Sequence, residues 1–297
     1  MKYKTMKRFF MIMAVMVAAA FTLNAQEKTN IYKFGDIKSI DAGHSFKIYV
    51  TEGSSKEVKV VCDKELEDYM IVNYSALSSE LSLRMDDLPR RLRSGNFSNI
   101  KVYIKMDEID EIDLSGTASV SFEGCYKASD LEVGLSGTSS LNGLMVTANT
   151  LGADCSGASS FNIEGVFNGN VEMELSGAVN GRFAGRGDDF EVELSGACNL
   201  DADIEFRNCD LDCSGASKAE LAGKVDRLSV DGSGACSIDA KDLIADYASV
   251  DLSGACKAKV NSDKELRYDI PRSCKITYYG NARLINLSDD NNVVKGN

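Results

Sequence analysis

The side chains best placed for chemistry in this sequence are carboxylates that recur at a fixed interval. The tripeptide Ser-Gly-Ala/Thr begins at Ser115, Ser136, Ser156, Ser176, Ser195, Ser214, Ser233 and Ser253, at steps of 19 to 21 residues. Two residues before each Ser stand Asp113, Gly134, Asp154, Glu174, Glu193, Asp212, Asp231 and Asp251. Asp269 extends the series before a degenerate ninth copy at Pro271-Arg272-Ser273. Four residues before the Ser stand Glu111, Glu132, Gly152, Glu172, Glu191 and Asp210, followed by Ser229, Ser249 and Arg267. Stacked carboxylates suggest three roles. They could bind a divalent cation, since Ca²⁺ takes several carboxylate oxygens; Asp154, Glu172, Glu174, Glu191, Glu193, Asp210 and Asp212 are the candidate ligands. They could receive a basic partner. They could also form a solvated face that resists lateral association, which is the simplest account. No other cofactor is expected.

Other chemistry is poorly supported. The repeated Ser-Gly has no base beside it, and the single His, His44, lies in the turn Ala42-Gly43-His44, where a surface role is expected. One His argues against His-based metal sites and Ser-His-Asp triads. The glycine pattern matches no phosphate-binding loop. The nine Cys include no Cys-x-x-Cys pair. Cys198, Cys236, Cys256 and Cys274 fall three after the Ser, and Cys155 and Cys213 just before it. These slots take small residues in other copies, so the thiols read as small hydrophobes. A disulfide among Cys236, Cys256 and Cys274, on consecutive copies, is the alternative. The run Arg90, Arg91 and Arg93, in a loop expected over residues 86–99, is the one basic cluster of the linear sequence outside the N-terminal segment. It is a candidate contact for an acidic partner or glycan.

The elements that position these groups follow from the alternation around each Ser. Val171, Met173 and Leu175 alternate with Glu172 and Glu174; Phe190, Val192 and Leu194 alternate with Glu191 and Glu193. Alternation of period two makes a strand with one buried face. After the Ser-Gly corner it resumes, giving a second strand, and the rest of the period makes a less regular third side. About 20 residues is too short for a propeller blade. It suits one coil of an all-β parallel β-helix, a solenoid whose coils bury their faces by stacking. Nine rungs at about 4.8 Å give a rod of roughly 43 Å. Residues 111–287 form the repeats. Residues 26–110 alternate at Phe46, Ile48 and Val50, at Leu81, Leu83 and Met85, and at Ile100, Val102, Ile104 and Met106. They read as irregular opening coils and a cap, with a separate small domain as the alternative. Tyr278, Tyr279 and Leu284 are expected to cover the far end, and 288–297 reads as a polar tail.

Residues 1–25 carry Lys2, Lys4, Lys7 and Arg8 before the apolar run Phe9 to Leu23, and end at Leu23-Asn24-Ala25. This is a signal-peptide pattern. Its removal takes away four positive charges, lowering the net charge from −12 to −16. An acidic chain excludes nucleic acid as a partner. No other segment could cross a bilayer.

Phe34-Gly35-Asp36-Ile37-Lys38-Ser39-Ile40, then Ser45-Phe46-Lys47-Ile48-Tyr49-Val50-Thr51-Glu52-Gly53 and Val58-Lys59-Val60, followed by the tandem Leu-Ser-Gly-Ala/Thr units, resemble the auto-transporter adhesin family with a head GIN domain. The resemblance spans nearly all of the chain after the leader. It implies a right-handed parallel β-helix exported by a Gram-negative bacterium to the periplasm, cell surface or medium. It also implies a non-enzymatic, adhesin-like protein presenting a surface to a glycan, host or envelope ligand, and brings no catalytic residues. The alternatives are a polysaccharide lyase or hydrolase on the same scaffold, and a periplasmic structural module.

Overall fold

The computed structural model describes residues 27–89, 100–288 and 292–296. They form a parallel β-solenoid of about nine turns with coils about 20 residues apart. One period shows how the sequence builds it. β15 (Val171–Gly177) runs along a first face, the chain turns at the Ser-Gly-Ala corner, β16 (Asn180–Arg186) runs along a second face, and β17 (Asp189–Gly196) returns to the first. Val171, Met173 and Leu175 of β15 lie in register with Phe190, Val192 and Leu194 of β17, and all six are buried. The alternating glutamates point out. Each later period lays an apolar row on the one before it.

The corner explains the invariance of its glycine within the chain. All eight Ser-Gly-Ala/Thr glycines have φ between 68° and 92°, the left-handed region that disfavours a Cβ. From Gly137 onward, the residue after each corner glycine donates its N–H to the corner-glycine carbonyl one coil back, as Ala178 does to Gly157 and Ala197 to Gly177, both at 2.7 Å. Four corner serines bind backward too: Ser136, Ser156, Ser214 and Ser253 donate from Oγ to Leu114 O, Leu135 O, Leu194 O and Gly232 O at 3.2–3.4 Å. Their hydroxyls are thus engaged with the scaffold.

In the later coils the second face, third side and next first face merge into single bent strands: β18 (Asn199–Cys213), β19 (Lys218–Gly232), β20 (Ser237–Leu252) and β21 (Lys257–Asp269). The period beginning at Ser233 is one residue longer than that beginning at Ser214. The extra residue appears as a register shift between Glu220 and Ala222 of β19. Aromatic rings fill the core, with Phe183 stacked on Phe190 at 5.1 Å and Phe190 tilted against Phe206 at 5.3 Å.

The opening segment departs from sequential stacking. β2 (Ser39–Ala42) lies between β6 (Glu80–Met85) and β8 (Glu111–Leu114), parallel to both. β3 (Lys47–Glu52) lies likewise between β7 (Lys101–Met106) and β9 (Ser119–Glu123). The coil laid down first therefore sits inside the coil laid down second. Antiparallel strands close this end: β4 (Glu57–Asp63) on β7, β1 (Glu27–Lys33) on β4, and β5 (Met70–Ser75) on β6. A 3₁₀ helix, Lys64–Tyr69, links β4 to β5 and buries Leu66.

At the far end, Tyr278 of β22 (Lys275–Tyr279) packs on the core, as expected. Leu284 of β23 (Arg283–Asn286) continues the inward row after Leu266, but no further rung covers it and it stays exposed. The segment read as a polar tail adds a short strand, β24 (Val293–Lys295), beside β22. Val293 packs on the core.

Candidate binding surfaces

The seven carboxylates singled out as cation ligands do come together. Asp154, Glu174, Glu193 and Asp212 stand in one register row across β13 (Thr150–Cys155), β15, β17 and β18. Glu172, Glu191 and Asp210 stand in the neighbouring row, with Gly152 at its start. All seven are exposed, and none forms an ion pair among the described residues. Rungs are about 4.8 Å apart, so Glu174, Glu193, Asp212 and Glu191 feel like charge on both sides along their rows, and Asp154, Glu172 and Asp210 on one. Burial, then Glu172, Asp210 and Glu193, raises the Glu191 carboxyl above its ordinary range. Burial and then Asp210 raise Asp212; burial, then Asp212 and Asp251, raise Asp231. The rows border shallow grooves along the corner. One of about 410 Å³ runs past Glu193, Asp212, Asp231 and Asp251; another of about 250 Å³ past Asp154 and Glu174. The carboxylates are collinear rather than convergent. Among the described residues no three of His, Cys, Asp and Glu are grouped to hold a metal ion.

Arg90, Arg91 and Arg93 lie outside the described residues, as do residues 1–25 with the signal-peptide pattern expected there. The structure adds a basic surface that the linear sequence concealed. Lys47 and Lys101 are register partners on β3 and β7; Tyr49 and Tyr103 are the next outward pair, with rings stacked at 5.3 Å. Lys59 of β4 stands over the Tyr103 ring at 5.4 Å, and Lys105 continues β7. Lys47, Lys101 and Lys105 form no ion pair among the described residues. The signal was present in the shared pattern Lys-apolar-Tyr-apolar at Lys47 and Lys101. What the pattern lacked was the knowledge that these strands are adjacent. The outward row containing Lys47 continues through Ser119, Ser140 and Asn180 to Lys257 and Lys275 without a carboxylate. The Ser-Gly corner thus separates an acidic first face from a neutral-to-basic row on the second.

The thiols behave as lattice residues. All nine cysteines are free and eight are buried, Cys125 being exposed. Burial pushes the Cys155 and Cys209 thiols up to about 12. Burial at these two works against formation of a nucleophilic thiolate. His44 is exposed at a corner, where its Nδ1 accepts the Met85 N–H at 3.4 Å. Among the described residues no helix is long and apolar enough to cross a membrane.

The family model described as "Putative auto-transporter adhesin, head GIN domain" matches residues 36–184 and 170–282. A crystal structure from Parabacteroides merdae, titled a putative adhesin, is 14% identical, with 89% of this chain and 97% of that chain covered and a TM-score of 0.47. One from Parabacteroides distasonis, also titled a putative adhesin, is 14% identical, covers 91% and 96%, and has a TM-score of 0.46. Another from Parabacteroides distasonis, titled a putative lipid binding protein, is 16% identical, covers 92% and 98%, and has a TM-score of 0.42. No curated protein matches. With two matches that together span residues 36–282, the chain belongs to the auto-transporter adhesin family with a head GIN domain.

Proposed function

We propose that this protein is an exported, non-enzymatic adhesin whose solenoid faces bind a glycan, host or envelope ligand at the outside of the cell. The observation that carries the reading is the registration of outward side chains over many coils. An acidic double row and a neutral-to-basic row run side by side along the rod, with shallow grooves between rungs. Such long, chemically uniform strips suit multivalent contact with a polymer or a surface. The family description and the signal-peptide pattern of residues 1–25 support export and adhesion.

A binding array of glycans and extracellular-matrix proteins, probed with the purified protein with and without Ca²⁺, tests this. Selective capture by at least one ligand class is expected; a blank array overturns the reading. The lyase or hydrolase alternative retains one supporting observation. A depression near β20 mixes Asp210, Glu265, Arg227 and Arg267. Its Glu265, however, is engaged by both Arg267 and Arg283, which leaves Asp210 as the one lining carboxylate without an ion pair among the described residues, whereas hydrolysis of a glycosidic bond uses two. Incubation with any captured polysaccharide should release no new reducing ends.

A further inference from the structure

The acidic double row stops being double on the last coils, and a concave site stands where it changes. The row of Glu172, Glu191 and Asp210 continues in register as Ser229, Ser249 and Arg267. Beside it runs a second outward row of Asn208, Arg227, Tyr247 and Glu265. Two short serines between longer neighbours lower the floor. The result is a depression of about 580 Å³, larger than either acidic groove. That volume is in the range of small-ligand sites.

We propose that this depression is a subsite for a neutral glycan, an inference that deepens and rests on the adhesin reading above. Tyr247 is 46% exposed, the one large aromatic so exposed on the repeat coils among the described residues. An exposed ring offers a flat apolar surface to the C–H face of a sugar, where a buried one only packs the core. Around it stand groups suited to sugar hydroxyls: the Ser229 and Ser249 hydroxyls, the Asp210 carboxylate and the Arg227 guanidinium. Arg227 lies 3.5 Å from the Asn208 side-chain oxygen and forms no ion pair among the described residues. The far wall is preorganised. Glu265 accepts from Arg267 at 2.7 Å and from Arg283 at 2.6 Å, and Lys264, tied to Asp246 at 2.7 Å, lies 5.3 Å from the Tyr247 ring centre. Fixed donors lose less freedom on binding. Charge chooses among sugars: in the lining Asp210 and Glu265 balance Arg227 and Arg267, and Asp212, Asp231 and Asp251 on the next row tip the surroundings negative, which disfavours a uronate or sulfated chain over a neutral one.

The test is titration calorimetry of the purified protein with cellohexaose, laminarihexaose, maltohexaose and mannohexaose, with oligogalacturonate as the anionic counterpart. Binding of at least one neutral oligosaccharide is expected. Tyr247→Ala should weaken it at least about tenfold, and Ser249→Asp, which restores the acidic row and fills the floor, should abolish it. Tyr247→Phe should retain it. Both positions face outward, so unchanged melting temperatures certify the three variants. Binding that survives both Tyr247→Ala and Ser249→Asp overturns the subsite while leaving the adhesin reading intact. Capture of oligogalacturonate alone, or of none of these sugars, also overturns it. The adhesin reading falls only if the protein and glycan array is blank as well.

Discussion

His44 and Gly116 occupy the same corner on neighbouring coils, with φ of 59° and 68°, and the His44 carbonyl accepts the Thr117 N–H at 2.6 Å. The same bond closes every later corner, with glycine in place of the histidine. A Cβ on Gly137, Gly177 or Gly215 would stand 2.5–2.6 Å from the preceding glycine carbonyl oxygen. These glycines are therefore required twice, for the sign of φ and for the closeness of the stack. His44 heads the file of corners, and its ring reaches back to the Met85 N–H of β6.

The two requirements can be separated by mutation. Asn tolerates a positive φ but brings a Cβ, so Gly177→Asn should be nearly as damaging as Gly177→Ala, each costing more than about 2 kcal/mol. His44→Gly should change stability by less than about 1 kcal/mol, since relief of backbone strain is offset by a freer unfolded chain. Urea unfolding monitored by circular dichroism measures all three. A Gly177→Asn variant as stable as the parent would show that stacking imposes no second constraint.

The slot three residues after the corner serine carries a mild defect. Ser139 and Ser159 have buried hydroxyls with no hydrogen-bond partner among the described residues. In the same slot Ser217 donates to Ser214 O at 3.0 Å, while Cys198 and Cys236 aim their sulfurs at the matching carbonyls at 3.2 and 3.1 Å. Leaving a buried hydroxyl unpaired costs about 1–3 kcal/mol. Ser159→Ala, which copies the Ala118 already found in this slot, is expected to leave stability unchanged or raise it. Ser217→Ala should lower it by about 1 kcal/mol. Equal losses from both would mean that Ser159 finds a partner in solution.

The cysteines give a count that is simple to check. Cys125 is exposed and the other eight are buried, with burial raising Cys62 to about 11 and Cys155 to about 12. Reaction with a thiol reagent at pH 8 should modify one thiol in the folded protein and nine after denaturation. Cys125→Ser should remove the fast phase alone. Seven thiols after denaturation would reveal a disulfide, with Cys236, Cys256 and Cys274 as the first candidates.

How much of this was legible depends on whether neighbours in space are also neighbours in period. Met173 and Val192 announce their stacking because each lies three before an identical corner, so alternation and spacing together predict the strand, its buried face and its register. The coil of β2 and β3 carries the same alternation at Phe46, Ile48 and Val50. Nothing local says that β6 and β7, 41 and 54 residues on, will stack on its outer side, because strand order is decided by which coil can cover which apolar row. For that reason the Tyr49 and Tyr103 stack and its lysines were hidden, and the equivalence of His44 to the corner glycines with them. Ser229 and Ser249 were visible as departures from an acidic row. Their consequence, a floor beside Tyr247, required the two rows to be set side by side.

The acidic face makes the pH dependence run in an unusual direction. Burial, followed by neighbouring carboxylates, raises the Glu111, Asp113, Glu191, Asp212 and Asp231 carboxyls in the folded protein. A group raised on folding holds more protons folded than unfolded, so its destabilising effect is fully present above its folded pKa and relieved as pH falls toward the ordinary value of about 4. Glu67, Glu108 and Glu265 act oppositely: Lys28, Lys38 and the pair Arg283 and Arg267 lower them, and their contribution is lost only as pH falls below that ordinary value. The melting temperature is therefore expected to rise from pH 7.5 to pH 5 in dilute buffer and to drop again below pH 4. Molar salt, with a screening length of about 3 Å, should flatten the upper part of the curve. Because the carboxylates are collinear, Ca²⁺ and Mg²⁺ at equal ionic strength should stabilise alike at pH 7.5, and Glu191→Gln should shrink both effects. A selective Ca²⁺ response would instead place a coordinating site within the rows, and a melting temperature that does not rise as pH falls from 7.5 would mean that repulsion within the rows does not govern the pH dependence.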